Sequence, residues 1–168
     1  MKLLFLFVEG PDDERFLKHF YRGKNVQFVL YRNNAKKETN DKLRSIKHNP
    51  ICDYLFFADS DGCSIDDRIQ KTIEKYQDCD REKVCVVQFE IESWYLAGIS
   101  QDVSQKLKIK QYSCTDNVRK EQFNSIVPKQ YARVDFMMEL LKYYDCGEAR
   151  SHNASFKLFF DKMKEQAV

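Results

Sequence analysis

The sequence predicts an α/β protein: a mostly parallel four-stranded sheet flanked by helices, continued by a helical segment. Three observations predict it. Short apolar runs recur at 3-8, 25-31, 53-58 and 84-89. The stretches between them carry helical rather than alternating spacing. The first and third runs stop abruptly in acidic, glycine and proline residues, as a strand does on entering a loop. A run that is apolar at every position, with no polar alternation, fits a strand covered on both faces, and alternation of strand and helix makes such strands parallel.

The elements follow in order. Leu3 to Val8 is the first strand. Pro11 suits a first helical position, Asp12, Asp13 and Glu14 complement the helix dipole, and Phe16, Leu17 and Phe20 supply an apolar stripe. Asn25 to Tyr31 reads as a second strand, Asp41 to Lys47 as a short helix, and Asp53 to Ala58 as a third strand. Asp66 to Tyr76 has helical spacing through Ile69 and Ile73, and Val84 to Phe89 forms the fourth strand. Beyond Gly98 the pattern turns helical, most clearly over Val134 to Tyr144 and Ser155 to Met163. The expected division is a core over 1-98 with a mainly helical extension, 99-168, packed on it.

With 168 residues, 43% of them hydrophobic, the chain can bury a substantial core. A formal net charge of +2 neither demands nor excludes a nucleic-acid partner, so local patches decide. The run from Leu3 to Val8 is far too short to span a membrane and no signal-peptide cleavage pattern follows it, so a cytoplasmic protein without a membrane partner is expected. Six cysteines lack CxxC spacing and three histidines are scattered, which reads as reduced thiols rather than a zinc site.

The chemistry concentrates at two strand ends: Val8-Glu9-Gly10-Pro11-Asp12-Asp13 and Asp59-Ser60-Asp61-Gly62. Ligands of open α/β sheets bind beyond the carboxyl ends of the strands. Carboxylates gathered there repel one another unless a hard cation, Mg²⁺ or Mn²⁺, lies among them. Asp59 and Asp61 can turn towards one ion, and Glu9 can join them or move a proton at a leaving oxygen. Asp13, on the first turn of the first helix, and Glu92, past the fourth strand, are candidates for a second ion. The plainer alternatives are that Asp12 and Asp13 cap a helix and that Asp-Ser-Asp-Gly is a turn. Gly62 stands fourth in that loop where a calcium-binding EF-hand needs glycine sixth.

These residues resemble the Toprim domain of topoisomerases, primases and OLD-family nucleases, over roughly residues 1 to 95. Glu9-Gly10 matches the glutamate that ends the first Toprim strand, Asp59-Ser60-Asp61 matches the DxD pair of a later strand, and Asp13 matches the added acidic residue of the VEGxxD motif of OLD-like nucleases. Phe89-Glu90-Ile91-Glu92-Ser93-Trp94-Tyr95-Leu96 is similar to an acidic-aromatic stretch of small Toprim-like proteins. The resemblance implies a Rossmann-like fold and a nuclease using Mg²⁺ or Mn²⁺ on DNA or RNA phosphodiesters, with Glu9, Asp59 and Asp61 catalytic and Glu9, Asp13, Asp59, Asp61 and Glu92 holding metal. It also implies a separate ATPase subunit as a partner, since OLD-like systems couple the two and no Walker A or GxGxxG pattern occurs here.

A basic stretch after the second strand, with Arg32, Lys36, Lys37 and Arg44 as its nucleic-acid contacts, would emerge near the acidic site. Lys106, Lys108 and Lys110 form a second strip, and Lys157 is a candidate transition-state cation. Two other readings compete: a phosphatase with Asp59 as nucleophile and Asp61 as acid, and a non-catalytic module that binds nucleic acid or a protein partner.

Overall fold

The computed structural model describes residues 2-165. They form two compact units that divide between Val86 and Val87. The division falls within the fourth strand, whereas the sequence sets it after Gly98.

The first unit is built as β1 (Leu3–Val8), α1 (Pro11–Phe20), β2 (Val26–Leu30), α2 (Lys36–Lys47), β3 (Cys52–Asp59), α3 (Ile65–Lys75) and β4 (Val84–Val87). The strands form one parallel sheet in the order β2-β1-β3-β4, flanked by helices, as the sequence predicts. Leu6 is in register with Phe28 of β2 and Leu55 of β3, so β1 lies between them. This order sets the carboxyl ends of β1 and β3 side by side. Glu9 follows the first of these ends and Asp59 closes the second.

Burial over most of their length explains the apolar runs of β1, β3 and β4, whereas β2 is only partly covered. Leu6, Phe7, Leu55 and Phe56 are fully buried, each such side chain contributing about 1.5–3 kcal/mol over the exposed state. One face of the sheet carries an aromatic cluster: Phe7 stacks on Phe56 at 5.5 Å, and Phe56 meets Tyr31 at 4.5 Å and Tyr76 at 5.1 Å between ring centres. Leu43 and Ile46 of α2 complete it, with Ile65, Ile69 and Ile73 of α3 packed against it.

Most boundaries shift by one or two residues from expectation, and two shifts have a clear cause. The α2 helix begins at Lys36 instead of Asp41; Ala35, its N-cap, has no side-chain oxygen and so gives no start signal in the sequence. The β4 strand ends at Val87 instead of Phe89, because the Gln88 N–H donates to Ser155 Oγ at 3.1 Å and Phe89 turns into the left-handed region at φ +56°.

The second unit holds α4 (Glu92–Ala97), α5 (Gln101–Leu107), α6 (Lys120–Ile126), α7 (Arg133–Lys142), α8 (Cys146–His152) and α9 (Ala154–Glu165). Its core centres on Trp94, fully buried and stacked on Phe159 at 5.1 Å. A buried polar link holds α4 to α9: Trp94 Nε1 donates to Ser155 Oγ at 2.8 Å, and Asn153 Oδ1 accepts from Ser155 Oγ at 2.8 Å and from the Phe156 N–H at 2.9 Å. Satisfying these groups matters because an unmade buried hydrogen bond costs about 1–3 kcal/mol. Among the described residues no helix is long and apolar enough to cross a membrane.

Candidate phosphate-binding site

At the carboxyl end of the first unit's sheet, Glu9 is 5% exposed yet heavily coordinated. Its Oε1 accepts from the Asp59 backbone N–H and from Arg68 Nη2, both at 3.1 Å. The Tyr31 hydroxyl lies 3.0 Å from both Glu9 Oε1 and the Phe57 carbonyl oxygen, so its one proton is shared between two acceptors. Glu9 Oε2 pairs with Arg32. Arg68 also reaches Asp61 at 3.2 Å and so bridges the two strand ends. A buried carboxylate is tolerated only when paired and hydrogen-bonded, and here two guanidiniums, a phenol and a backbone amide do it together.

The elements explain the placement. The parallel pairing of β1 with β3 brings the Asp59 amide to the Glu9 carboxylate. The aromatic cluster fixes the Tyr31 ring at the start of a 3-10 turn, Tyr31–Asn33, and Arg32 follows on the same turn. Asp61 and Gly62 take left-handed conformations, φ +51° and +81°, which turn the Asp-Ser-Asp-Gly loop back into α3, where Arg68 lies. The electrostatics agree. Burial, reinforced by the Glu9 charge, raises the Tyr31 phenol well above its usual range, so it stays protonated as a donor. Partial burial opposes the Arg32 charge, but the fields of Glu9, Asp59 and Asp61 outweigh it and hold its pKa above the usual value.

Beside this lies a cavity of about 450 Å³, lined in part by Arg32, Lys36, Arg68, Lys71 and Lys75, with Glu9 and Asp61 as its carboxylates. The volume is that of clefts which take small ligands, roughly 300–1,000 Å³. Five cationic side chains against two anionic ones give its lining a net positive charge, which favours an anion.

The remaining sequence-derived candidates have ordinary surroundings. Asp13 Oδ2 accepts from the Gly10 N–H at 3.1 Å, which caps α1. Glu92 is buried in the second unit and pairs with Arg133. Lys36 lines the cavity, while Lys37 is exposed on α2. Arg44 is bound to Asp78 at 2.8 Å and Asp41 at 3.4 Å, which takes it out of a basic strip. Of the second strip, Lys106 lies on α5 and bonds the Tyr143 hydroxyl at 2.9 Å, and Lys108 sits in a left-handed turn after that helix. Lys157 is exposed on α9. All six cysteines are free.

Sequence reasoning missed Tyr31, Arg68, Lys71 and Lys75 as site residues. For the last three the one sequence signal is the spacing of three, then four, along α3, which sets 68, 71 and 75 on a shared side of the helix.

Carboxylate oxygens suit Mg²⁺ or Mn²⁺ chemically. As arranged, however, the Glu9 carboxylate is turned to Arg32 and Arg68, and Asp61 to Arg68. Among the described residues no group of three or more His, Cys, Asp or Glu side chains is set to hold a metal ion. These carboxylates fit guanidinium counter-ions and not a shared divalent cation. Comparison with protein families, with curated proteins and with solved structures finds no match to this chain.

Proposed function

We propose that the first unit is a Toprim-like, phosphate-handling module that engages DNA or RNA through backbone phosphates. The observation that supports this is the cavity at the carboxyl end of β1 and β3, where Arg32, Lys36, Arg68, Lys71 and Lys75 converge. Ligands of parallel α/β sheets lie beyond this edge, and phosphate contacts dominate nucleic-acid affinity. The rings that line the cavity, Tyr31, Phe56 and Tyr76, are each no more than 5% exposed and leave no open face for a base. Recognition there is therefore of phosphate, not of stacked bases, and binding has little sequence preference.

Fluorescence anisotropy with labelled single-stranded DNA, double-stranded DNA and RNA tests this at low salt. Affinity should fall with rising salt, and Lys36→Ala and Lys75→Ala should each flatten the slope of log K against log salt by about 0.7–0.9. Absence of binding to all three, or slopes that both substitutions leave unchanged, would contradict the proposal.

A second reading, a metal-dependent nuclease acting at the same place, has one observation in its favour. Glu9 and Asp61 share the Arg68 guanidinium and the Asp59 amide bonds Glu9, so these three residues gather at one sheet edge. Cleavage of the same labelled strands with Mg²⁺ or Mn²⁺, abolished by Asp59→Ala, would establish it. Turnover of phosphomonoesters alone would favour a phosphatase.

A further inference from the structure

The two guanidiniums on Glu9 stand where a nuclease of this type would need its cation. Arg32 is 63% exposed, with one nitrogen on Glu9; a guanidinium carries five N–H donors, so others remain to face the cavity. Lys36 opens α2, whose N-cap Ala35 offers no side-chain acceptor to the first-turn N–H groups, and a helix start favours an anion beside it. Lys71 contacts the Cys63 sulfur at 3.0 Å and Lys75 lies over the Tyr76 ring at 5.2 Å, contacts that place no carboxylate on either ammonium. Against these stand the cavity's own carboxylates, Glu9 and Asp61, which compete with any anion for Arg32 and Arg68.

From this geometry we infer that the cavity takes a phosphate group directly on Arg32, Lys36, Lys71 and Lys75, with no divalent cation, and that Glu9 and Asp61 limit its affinity as internal competitors. The inference rests on the phosphate-handling reading and deepens it. It reverses the sign of the obvious experiment: in a metal site, neutralising Glu9 removes a ligand and weakens binding, whereas here it removes a competing anion and strengthens it.

The experiment is calorimetric titration of the full chain with inorganic phosphate, in EDTA and again with Mg²⁺. Wild type should bind equally in both. Glu9→Gln should bind phosphate on the order of tenfold more tightly, the effect of one unit charge removed from the cavity wall. Asp61 is 56% exposed, so Asp61→Asn leaves the fold intact and should tighten binding by about threefold, screening reducing its effect. Lys36→Ala combined with Lys75→Ala should lose most of the affinity. Binding that appears only with Mg²⁺, or that both amide variants weaken, would overturn the inference while leaving phosphate handling intact. Wild type that binds no phosphate in either buffer would overturn the phosphate-handling reading as well.

Discussion

Replacing Arg68 with alanine is the sharpest test of how Glu9 is held. Glu9 keeps two guanidinium partners, and they differ in burial: the Arg68 side chain is 22% exposed and Arg32 is 63% exposed. Removing one partner of a buried pair costs about 3–5 kcal/mol when it leaves the other charge alone. Glu9 would retain Arg32, the Tyr31 hydroxyl and the Asp59 amide, so Arg68→Ala should cost about 2–3 kcal/mol of folding stability. Arg32→Ala should cost less than about 1 kcal/mol, because solvent screens the exposed Arg32 guanidinium and Glu9 keeps Arg68. Chemical denaturation of the two variants reads the difference. A cycle with Glu9→Gln separates the ion pair from lost packing of the Arg68 side chain, and a coupling of at least about 1 kcal/mol is expected. Equal costs for the two arginine variants, or an Arg68–Glu9 coupling near zero, would refute the picture of a buried carboxylate clamped chiefly from α3.

Two further predictions concern single groups. Burial pushes the Cys79 thiol up to about 12, so iodoacetamide at neutral pH should label exposed Cys114 and spare Cys79 in the folded protein; early labelling of Cys79, located by mass spectrometry, would contradict its burial. Partial burial, aided by the Arg22 charge, lowers the pKa of His19 below its ordinary 6.5. The folded state then binds its proton less readily than the unfolded chain. Its contribution is fully present above pH 6.5 and is lost as pH falls through the lower folded value, so His19→Gln should flatten the acid side of the stability profile. An unchanged profile would contradict it.

Much of the first unit was legible because its strands are predominantly apolar and end in residues with a clear local meaning. Glu9 and Asp59 could be placed at adjacent strand ends from those runs and the parallel topology they imply. What surrounds them could not. Tyr31 reads as the last residue of a strand, and only the packing of its ring on Phe56 and Tyr76 shows its hydroxyl reaching Glu9. Arg68 and Glu9 are far apart in sequence, so no local pattern pairs them. The basic stretch on α2 illustrates the converse. Its charges are countable, but Arg44 and Lys47 are bound to Asp78 and Asp80 from a later segment, and Lys42 lies over the Phe5 ring. The cavity's remaining basic wall comes from α3, whose isoleucine stripe was visible while its lysines read as ordinary surface.

A crystal structure of the full chain grown in EDTA with a short oligonucleotide tests the central claim most directly. The account predicts a phosphate group held among Arg32, Lys36, Lys71 and Lys75, with Glu9 still on Arg68. A phosphate bound elsewhere on the chain, or one that enters the cavity only with a divalent cation on Glu9, Asp59 and Asp61, would contradict it.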